Sequence, residues 1–392
     1  MEILRLTEDL QNKISAGEVV ERPSSVVKEL LENSLDADSD QIDIVIEQGG
    51  NQLIQVRDNG VGIRNDQLPN AVKRFHTSKL SKLDDLFSIN TLGFRGEALA
   101  SIASIAQLSI LSNQSDEDGA EINVVDGKIG EVIPAPKIDG TQITIQNLFY
   151  NTPARRKFLK TPRTEGRKIL ETVKNFGLSS PQVGFSLIID GKQVIDLIPE
   201  DLDERIGSLF DNTYPKNLIP IDISKADFTF TGYIGNLNLI RKRFGEQYLF
   251  LNGRYIKDRL LNSAVYSSYQ SLVKRGEYPL FIINIDIPFD QVDVNVHPMK
   301  TEVRFKDEWR IYHVLKSGVN QALSEILNTI PNFQRISSDS SSFFQTSNNQ
   351  SSIDFSNTLP GNNLVSNLEK TDRAKIYASN ICLLYTSPSP RD

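Results

Sequence analysis

The 392-residue sequence is poor in the residues that build metal sites and redox chemistry. It holds one cysteine, one tryptophan, two methionines and three histidines (His76, His297, His313). That leaves no material for a zinc site or a Cys–His nucleophile. No apolar run approaches the ~20 residues that a membrane-spanning helix needs. The N-terminus, MEILRLTEDLQNK, carries acidic residues early and has no apolar core segment, so it does not read as a secretory signal. A cytoplasmic location, with no membrane partner, is the expectation. No GxxxxGK[ST] occurs anywhere, which excludes a Walker-type phosphate site. A net charge of −7 argues against indiscriminate nucleic-acid coating, though a local basic groove is compatible with it.

The one cysteine, Cys382, opens the terminal run CLLYTSPSPRD. This run resembles a translated sequencing-adapter end and has neither periodicity nor core residues, so residues 382–392 are set aside as a scar. On that reading the natural protein continues further. Residues 331–381 are rich in Ser, Asn, Gln and Asp with scattered Phe and Leu, a composition that cannot bury enough apolar surface to offset its ordering entropy. They read as a disordered linker.

What remains alternates helix and strand signals and is long enough for two cores. Pro23 is favourable at a helix start, and the helix runs to about Asp36. QIDIVIEQ alternates Ile42, Ile44 and Ile46 with polar neighbours, and after Gly49-Gly50-Asn51 the run LIQVRD returns as its hairpin partner. ALASIASIAQLSIL begins as helix and ends as strand, and TQITIQNLF is a strand. RTEGRKILETVKNFGL is an amphipathic helix with Gly177 as its C-cap. A second unit, 203–330, carries strands ADFTFTGYIG, EQYLFLNGRYI (turning at Asn252-Gly253) and YPLFIINIDI. Its helices begin at DRLL and around Leu315, Val319, Leu323 and Ile326.

Three motifs carry chemistry. In ELLENSLDA (Glu29 to Ala37), a helical wheel gathers Val26, Val27, Leu30, Leu31, Leu35 and Ala37 into one arc. Glu29 and Asn33 lie at its edge, and Lys28, Glu32 and Asp36 point away. Such a carboxylate could polarise water and such an amide oxygen could ligate Mg²⁺; taken alone, the pair is more commonly a rim pair on an amphipathic helix, since surface i,i+4 polar pairs are frequent. In DNGVGI, Asp58 at a strand end could accept from an exocyclic amino group. Gly60 and Gly62 would admit a flat ligand, and a simple hairpin turn is the other reading. In GFRGEAL, Gly93 to Glu97 open a helix, where exposed amides make an anion site, with Thr77, Ser78 and Lys79 upstream. An N-capped loop is the alternative.

Together with ISAGEVVERP, RFHTSKL, FYNTPARRKF and VDVNVHPMKTEVRF, these motifs over residues 1 to about 328 resemble the MutL family of DNA mismatch repair proteins, within the GHKL ATPases. The resemblance implies an α+β fold: a two-layer α/β sandwich with a mixed sheet over 1–202, then a smaller ribosomal-protein-like α/β domain over 203–330. It implies ATP and Mg²⁺ as cofactors, Glu29 as general base, Asn33 as Mg²⁺ ligand and Asp58 at the adenine amino group. Ala37, Gly60, Gly62 and Thr141 would stand around the nucleotide, with Thr77, Ser78, Lys79, Gly93, Phe94, Arg95, Gly96 and Glu97 around the phosphates. Lys300 would reach the γ-phosphate from the second domain, making domain arrangement sensitive to ATP versus ADP.

The resemblance also implies sequence-independent DNA binding through phosphates by Arg155, Arg156, Arg254, Lys257 and Arg259. Further implications are a MutS-type mismatch sensor as partner, ATP-dependent self-association ordered by the arm from Met1 to about Val20, and a nucleoid association in the cytoplasm. A further C-terminal dimerisation domain is expected beyond the linker, so an endonuclease activity is not assignable to this stretch. Three other readings compete. A histidine kinase lacks a suitable phosphoacceptor histidine here, a topoisomerase ATPase subunit would carry a different lysine motif, and a non-hydrolysing ATP-binding scaffold is opposed by Glu29.

Overall fold

The computed structural model describes residues 7, 16–17, 20–79, 91–93, 96–114, 117–225, 227–293 and 303–327. Phe94, Arg95, Lys300, most of the N-terminal arm, the linker and the C-terminal run lie outside the described residues.

Helix α1 (Pro23–Asp36) starts on its proline, whose missing N–H is no loss at that position. Behind it, β1 (Gln41–Glu47) and β2 (Leu53–Asp58) pair antiparallel with Ile44 opposite Val56. Strict alternation sends Ile42, Ile44 and Ile46 to the helix side, where each is fully buried. Each such side chain stabilises by about 1.5–3 kcal/mol. The motif continues through α2 (Ala98–Ala103), β3 (Gln107–Ser112), β4 (Gly119–Val125), β5 (Lys128–Ala135) and β6 (Thr141–Gln146). It then passes α3 (Pro153–Phe158) and α4 (Pro162–Ser179) to β7 (Gly184–Ile189) and β8 (Lys192–Leu197). The eight strands lie in the order β5-β4-β3-β6-β2-β1-β7-β8, with β1–β7 parallel and every other pair antiparallel.

One face packs under α1 and α4 through Val26, Val27, Leu30, Leu31, Ile169 and Val173. The other face presents Gln107, Ser109, Glu121, Asn123, Gln142, Thr144 and Gln146 around a concavity of about 470 Å³. The architecture is thus the expected two-layer, mixed-sheet α+β sandwich.

After α5 (Leu202–Leu209), a second sheet follows: β9 (Leu218–Lys225), β10 (Phe228–Gly235), β11 (Gln247–Leu251), β12 (Arg254–Ile256) and β13 (Phe281–Asp286), in the order β12-β11-β13-β10-β9. Helices α6 (Arg259–Tyr269) and α7 (Glu308–Leu327) cover it, with Leu261, Val265, Leu315, Val319 and Leu323 in its core. A two-stranded ribbon joins β14 (Val292–Asp293) to β15 (Arg304–Phe305). A third cluster joins the halves: Leu178 of α4 and Ile206 of α5 pack with Tyr248, Phe250, Leu280 and Ile282. Among the described residues no helix is long and apolar enough to cross a membrane.

Two readings from the sequence are corrected. Gly177 does not cap α4, which continues to Ser179. It is buried inside the helix because a Cβ there would stand 3.1 Å from Leu197 Cδ1, and its carbonyl accepts from Arg205 Nη1. Glu32 and the Asp36 carboxylate do not face solvent. Glu32 is 3% exposed, paired with Lys28 at 2.9 Å, and the Asp36 side chain is 6% exposed. The wheel treated α1 as one-sided, but α4 and the glycine-rich segment cover its other flanks.

Candidate nucleotide site

Helix α1 brings Glu29, Asn33 and Asp36 along successive turns. Glu29 is half-buried, with its Oε1 3.6 Å from Lys28 Nζ. Lys79 folds back onto the helix. Its ammonium lies 3.0 Å from Asn33 Oδ1 and 2.5 Å from Asp36 Oδ2. Asp36 also takes the start of the glycine-rich segment: Oδ1 accepts Leu92 N–H at 2.8 Å and Oδ2 accepts Gly93 N–H at 2.9 Å. A carboxylate accepting two backbone amides and an ammonium has its charge well compensated. Gly93 is tight against the pair, since a Cβ there would stand 3.2 Å from Lys79 Nζ and 3.5 Å from Asn33 Oδ1.

Asp58 ends β2 and is 7% exposed. Burial pushes its carboxyl pKa up, against hydrogen bonds from Gly60 N–H (3.1 Å), the Ser34 hydroxyl (2.9 Å) and Thr141 N–H (3.2 Å). Thr141 opens the neighbouring β6 directly opposite Asp58. Its hydroxyl shares a 2.8 Å hydrogen bond with Ser112, whose own hydroxyl donates to Gly140 O and accepts from Ile63 N–H. Ala37 closes α1, and its carbonyl accepts Val61 N–H at 3.0 Å. The DNG run makes no hairpin. Asn59 Oδ1 instead accepts the amides of Asp40 and Gln41, tying the strand end to the start of β1.

The two glycines of DNGVGI serve a different need from the one their spacing suggests. A Cβ on Gly60 would meet Ala37 O at 2.4 Å. One on Gly62 (φ 70°) would meet Asn113 O at 1.9 Å. They let protein backbone, rather than only a ligand, come close. Gly96 (φ 63°) likewise admits the backbone of His76, and its carbonyl accepts Phe75 N–H. Glu97 precedes α2 and its carbonyl accepts Ser101 N–H. Thr77 and Ser78 are exposed, and Thr77 Oγ1 accepts Lys79 N–H.

The structure therefore brings Asn33, Ala37, Asp58, Gly60, Gly62, Lys79, Gly93 and Thr141 to the C-terminal end of α1, with Glu29 one turn before Asn33 in the middle of the helix. Sequence reasoning missed Ser34, Asp36 and Ser112. Ser34 and Asp36 flank Asn33 and Leu35 in the same motif; Ser112 carries no local signal and is found only through its pairing opposite Thr141.

The basic residues divide. Arg156, Lys257 and Arg259 are exposed. Arg155 is half-buried against Gly17, where a Cβ would overlap its guanidinium. Arg254 turns to the segment before Gly93, its Nη2 donating to Thr91 O at 2.9 Å and Leu92 O at 2.7 Å. Arg156 lines a concavity of about 390 Å³ with Lys160, Glu165 and Asn51 among others, and none of Asn33, Asp36 and Asp58 lines it.

Comparison with known proteins identifies the two domains. Residues 21–142 match the family described as histidine kinase-, DNA gyrase B- and HSP90-like ATPase, and residues 206–324 match DNA mismatch repair protein, C-terminal domain. The chain is 41% identical over 332 residues to the DNA mismatch repair protein MutL of Porphyromonas gingivalis, covering 84% of this chain and 54% of that one. It is 40% identical over 319 residues to MutL of Geotalea daltonii, covering 81% and 53%. It thus spans about half the length of the curated relatives it matches. Among solved structures, the Aquifex aeolicus MutL ATPase domain complexed with ADP is similar at 26% identity and TM-score 0.52, over 76% of this chain and 98% of that one. The N-terminal domain of a DNA repair protein shares the fold, at TM-score 0.67 and 23% identity, over 82% and 99%. With a GHKL-type ATPase domain leading into the mismatch-repair α/β domain, the chain belongs to the MutL family.

Proposed function

We propose that this chain is the ATP-driven switch of a DNA mismatch repair protein. It binds and slowly hydrolyses ATP, associates with itself through its N-terminal region, binds DNA through phosphates and couples a MutS-type mismatch sensor to downstream repair, acting at the nucleoid in the cytoplasm. The observation that carries this reading is the convergence of Asn33, Asp36, Lys79 and the Gly93 amide at one end of α1, beside the buried Asp58.

The donor set fits Mg·ATP. Asn33 Oδ1 is a hard oxygen that already accepts a cation, the Lys79 ammonium, in the position expected of a Mg²⁺ ligand. When bound, the metal would neutralise phosphate charge in the phosphoryl transfer. Glu29 would take the proton of the attacking water. Asp58 would accept from the adenine amino group, with Thr141, Ala37, Gly60 and Gly62 shaping its surroundings. Thr77, Ser78 and Lys79 would enclose the phosphates together with the segment from Gly93 through Phe94, Arg95 and Gly96 to Glu97, which would form a lid entered through Thr91 and Leu92. Lys300 would sense the γ-phosphate. Arg155, Arg156, Lys257 and Arg259 would contact DNA phosphates.

A multiple-turnover ATPase assay with and without single-stranded DNA tests the reading. Wild type is expected to turn over slowly and faster with DNA, and Glu29→Ala to bind ATP without hydrolysing it. Equal turnover by wild type and Glu29→Ala would refute the base assignment.

A further inference from the structure

Arg254 directly follows Asn252-Gly253, where Asn252 (φ 47°) and Gly253 (φ 79°) make the tight turn between β11 and β12. From there its guanidinium spans 162 and 163 positions of sequence to the carbonyls of Leu92 and Thr91. On the opposite side, Asp36 holds the amides of Leu92 and Gly93. Leu92 is thereby gripped through both of its backbone polar groups, its N–H by the first domain's helix and its C=O by the second domain's hairpin. Charge-assisted bonds of this kind are the stronger class, and a guanidinium can hold two carbonyls from one nitrogen while staying planar. Arg254 Nη1 is buried and has no hydrogen-bond partner among the described residues, so the side chain keeps a donor in reserve at the same place.

The chain of contacts runs on from there. Asp36 Oδ2, which takes Gly93 N–H, also takes the Lys79 ammonium, and that ammonium sits on Asn33 Oδ1. Arg254 is therefore four contacts, through Leu92, Asp36 and Lys79, from the oxygen assigned to Mg²⁺. A shift of the second sheet that carried Arg254 with it would pull on the lid entrance, and any displacement of Lys79 from Asn33 would alter the load on Asp36.

We propose that Arg254 is a positioning residue that clamps the lid entrance to the second domain, and not a DNA contact. The proposal rests on the nucleotide-site reading above, but its first test is independent of it. In the whole chain without nucleotide, hydrogen exchange at the Leu92 and Gly93 amides reports the clamp directly. Arg254→Ala is expected to speed exchange at both by at least tenfold while the β13 amides keep their protection. Arg254→Lys, which retains one charged donor, should recover part of it. Unchanged exchange at Leu92 and Gly93 in Arg254→Ala would overturn the clamp. If Arg254→Ala also loosens β13, Asp36→Asn attacks the same clamp from the first domain, and unchanged lid exchange in that variant would overturn it equally.

The second test separates the roles. Affinity for a single-stranded oligonucleotide should stay within about twofold of wild type in Arg254→Ala and fall at least fivefold in Arg259→Ala. Equal losses would make Arg254 a DNA contact and overturn the proposal. ATP turnover by Arg254→Ala should fall in kcat more than in KM, with partial rescue by lysine. A wild-type chain that turns over no ATP would defeat the functional reading, with the exchange result still deciding the clamp.

Discussion

The Ser34 hydroxyl donates to Asp58 Oδ2 at 2.9 Å, across 24 positions of sequence, and both residues are more than nine-tenths buried. The helix that carries Glu29 and Asn33 is thus fastened to the strand end by a bond between two small polar side chains inside the protein. The residues proposed for water activation, metal binding and base recognition share one rigid mounting.

Ser34→Ala removes the side-chain donor to a buried carboxylate oxygen. Leaving such a group short of a partner costs about 1–3 kcal/mol. The expected result is a loss of that size in urea unfolding at neutral pH, together with weaker ATP binding. A variant as stable as wild type, with undiminished affinity, would show that the fastening is dispensable.

Asp58 sets a pH dependence whose sign follows from burial. Its pKa is raised in the folded chain, so the folded state keeps the proton to higher pH than the unfolded state does. Its contribution to stability therefore falls as pH rises from the ordinary carboxylate value, about 4, through the raised one, and stays low above it. Asp58→Asn keeps an oxygen for the Gly60 and Thr141 amides and cannot ionise. The variant should be at least as stable as wild type at neutral pH, with a flatter stability profile in the acid range, yet bind ATP at least tenfold more weakly. Urea midpoints across pH, paired with nucleotide titration, check both halves.

Gly62→Ala distinguishes backbone packing from ligand access. A left-handed φ costs a non-glycine residue about 1–2 kcal/mol, and the added Cβ would press on Asn113 O. Thermal or chemical unfolding without nucleotide should show a loss of at least that size. If stability is unchanged and only nucleotide binding suffers, the glycine serves the ligand alone.

Arg205 is fully buried, and its pKa is lowered by that burial against its pairing with Glu200. It donates to Glu200 Oε1 at 2.7 Å and to the carbonyls of Gly177, Pro181, Val183 and Ile198. Arg205→Met leaves five acceptors without their donor. Breaking a buried pair in this way costs about 3–5 kcal/mol, measurable by guanidinium unfolding; a loss below ~1 kcal/mol would contradict the network.

Period alone was enough to read β1, β2 and β6 and the start of α1, because each has one buried face and a clear boundary residue. Five strands escaped the same reading for physical reasons. In β9, Pro220 breaks the strand pattern, yet β9 is an edge strand, and an edge tolerates a residue that cannot donate. The β4–β5 and β7–β8 hairpins turn on Asp126-Gly127 and Asp190-Gly191, all four at positive φ. Asp-Gly is a strong signal for such turns, and here the exposed, weakly alternating strands beside it hid it. At the site, Asn33 and Asp58 were legible as residue types at telling positions. Asp36 was not, because a helical wheel knows nothing of a distant segment, Leu92-Gly93, that packs on the polar side. Arg254 was read as one more cation in a basic cluster, since charge patterning cannot tell which cation is held by carbonyls far away in sequence.

The cluster shared by Leu178, Ile206, Tyr248, Phe250, Leu280 and Ile282 has a practical consequence for anyone wishing to isolate the nucleotide-binding half. A break near residue 202 would strip Leu178 of its aromatic cover and part Arg205 from Gly177 and Pro181. The piece so produced would carry an oily scar where it once had a neighbour, and would gather with its own kind in solution. The workable unit of expression is both sheets together.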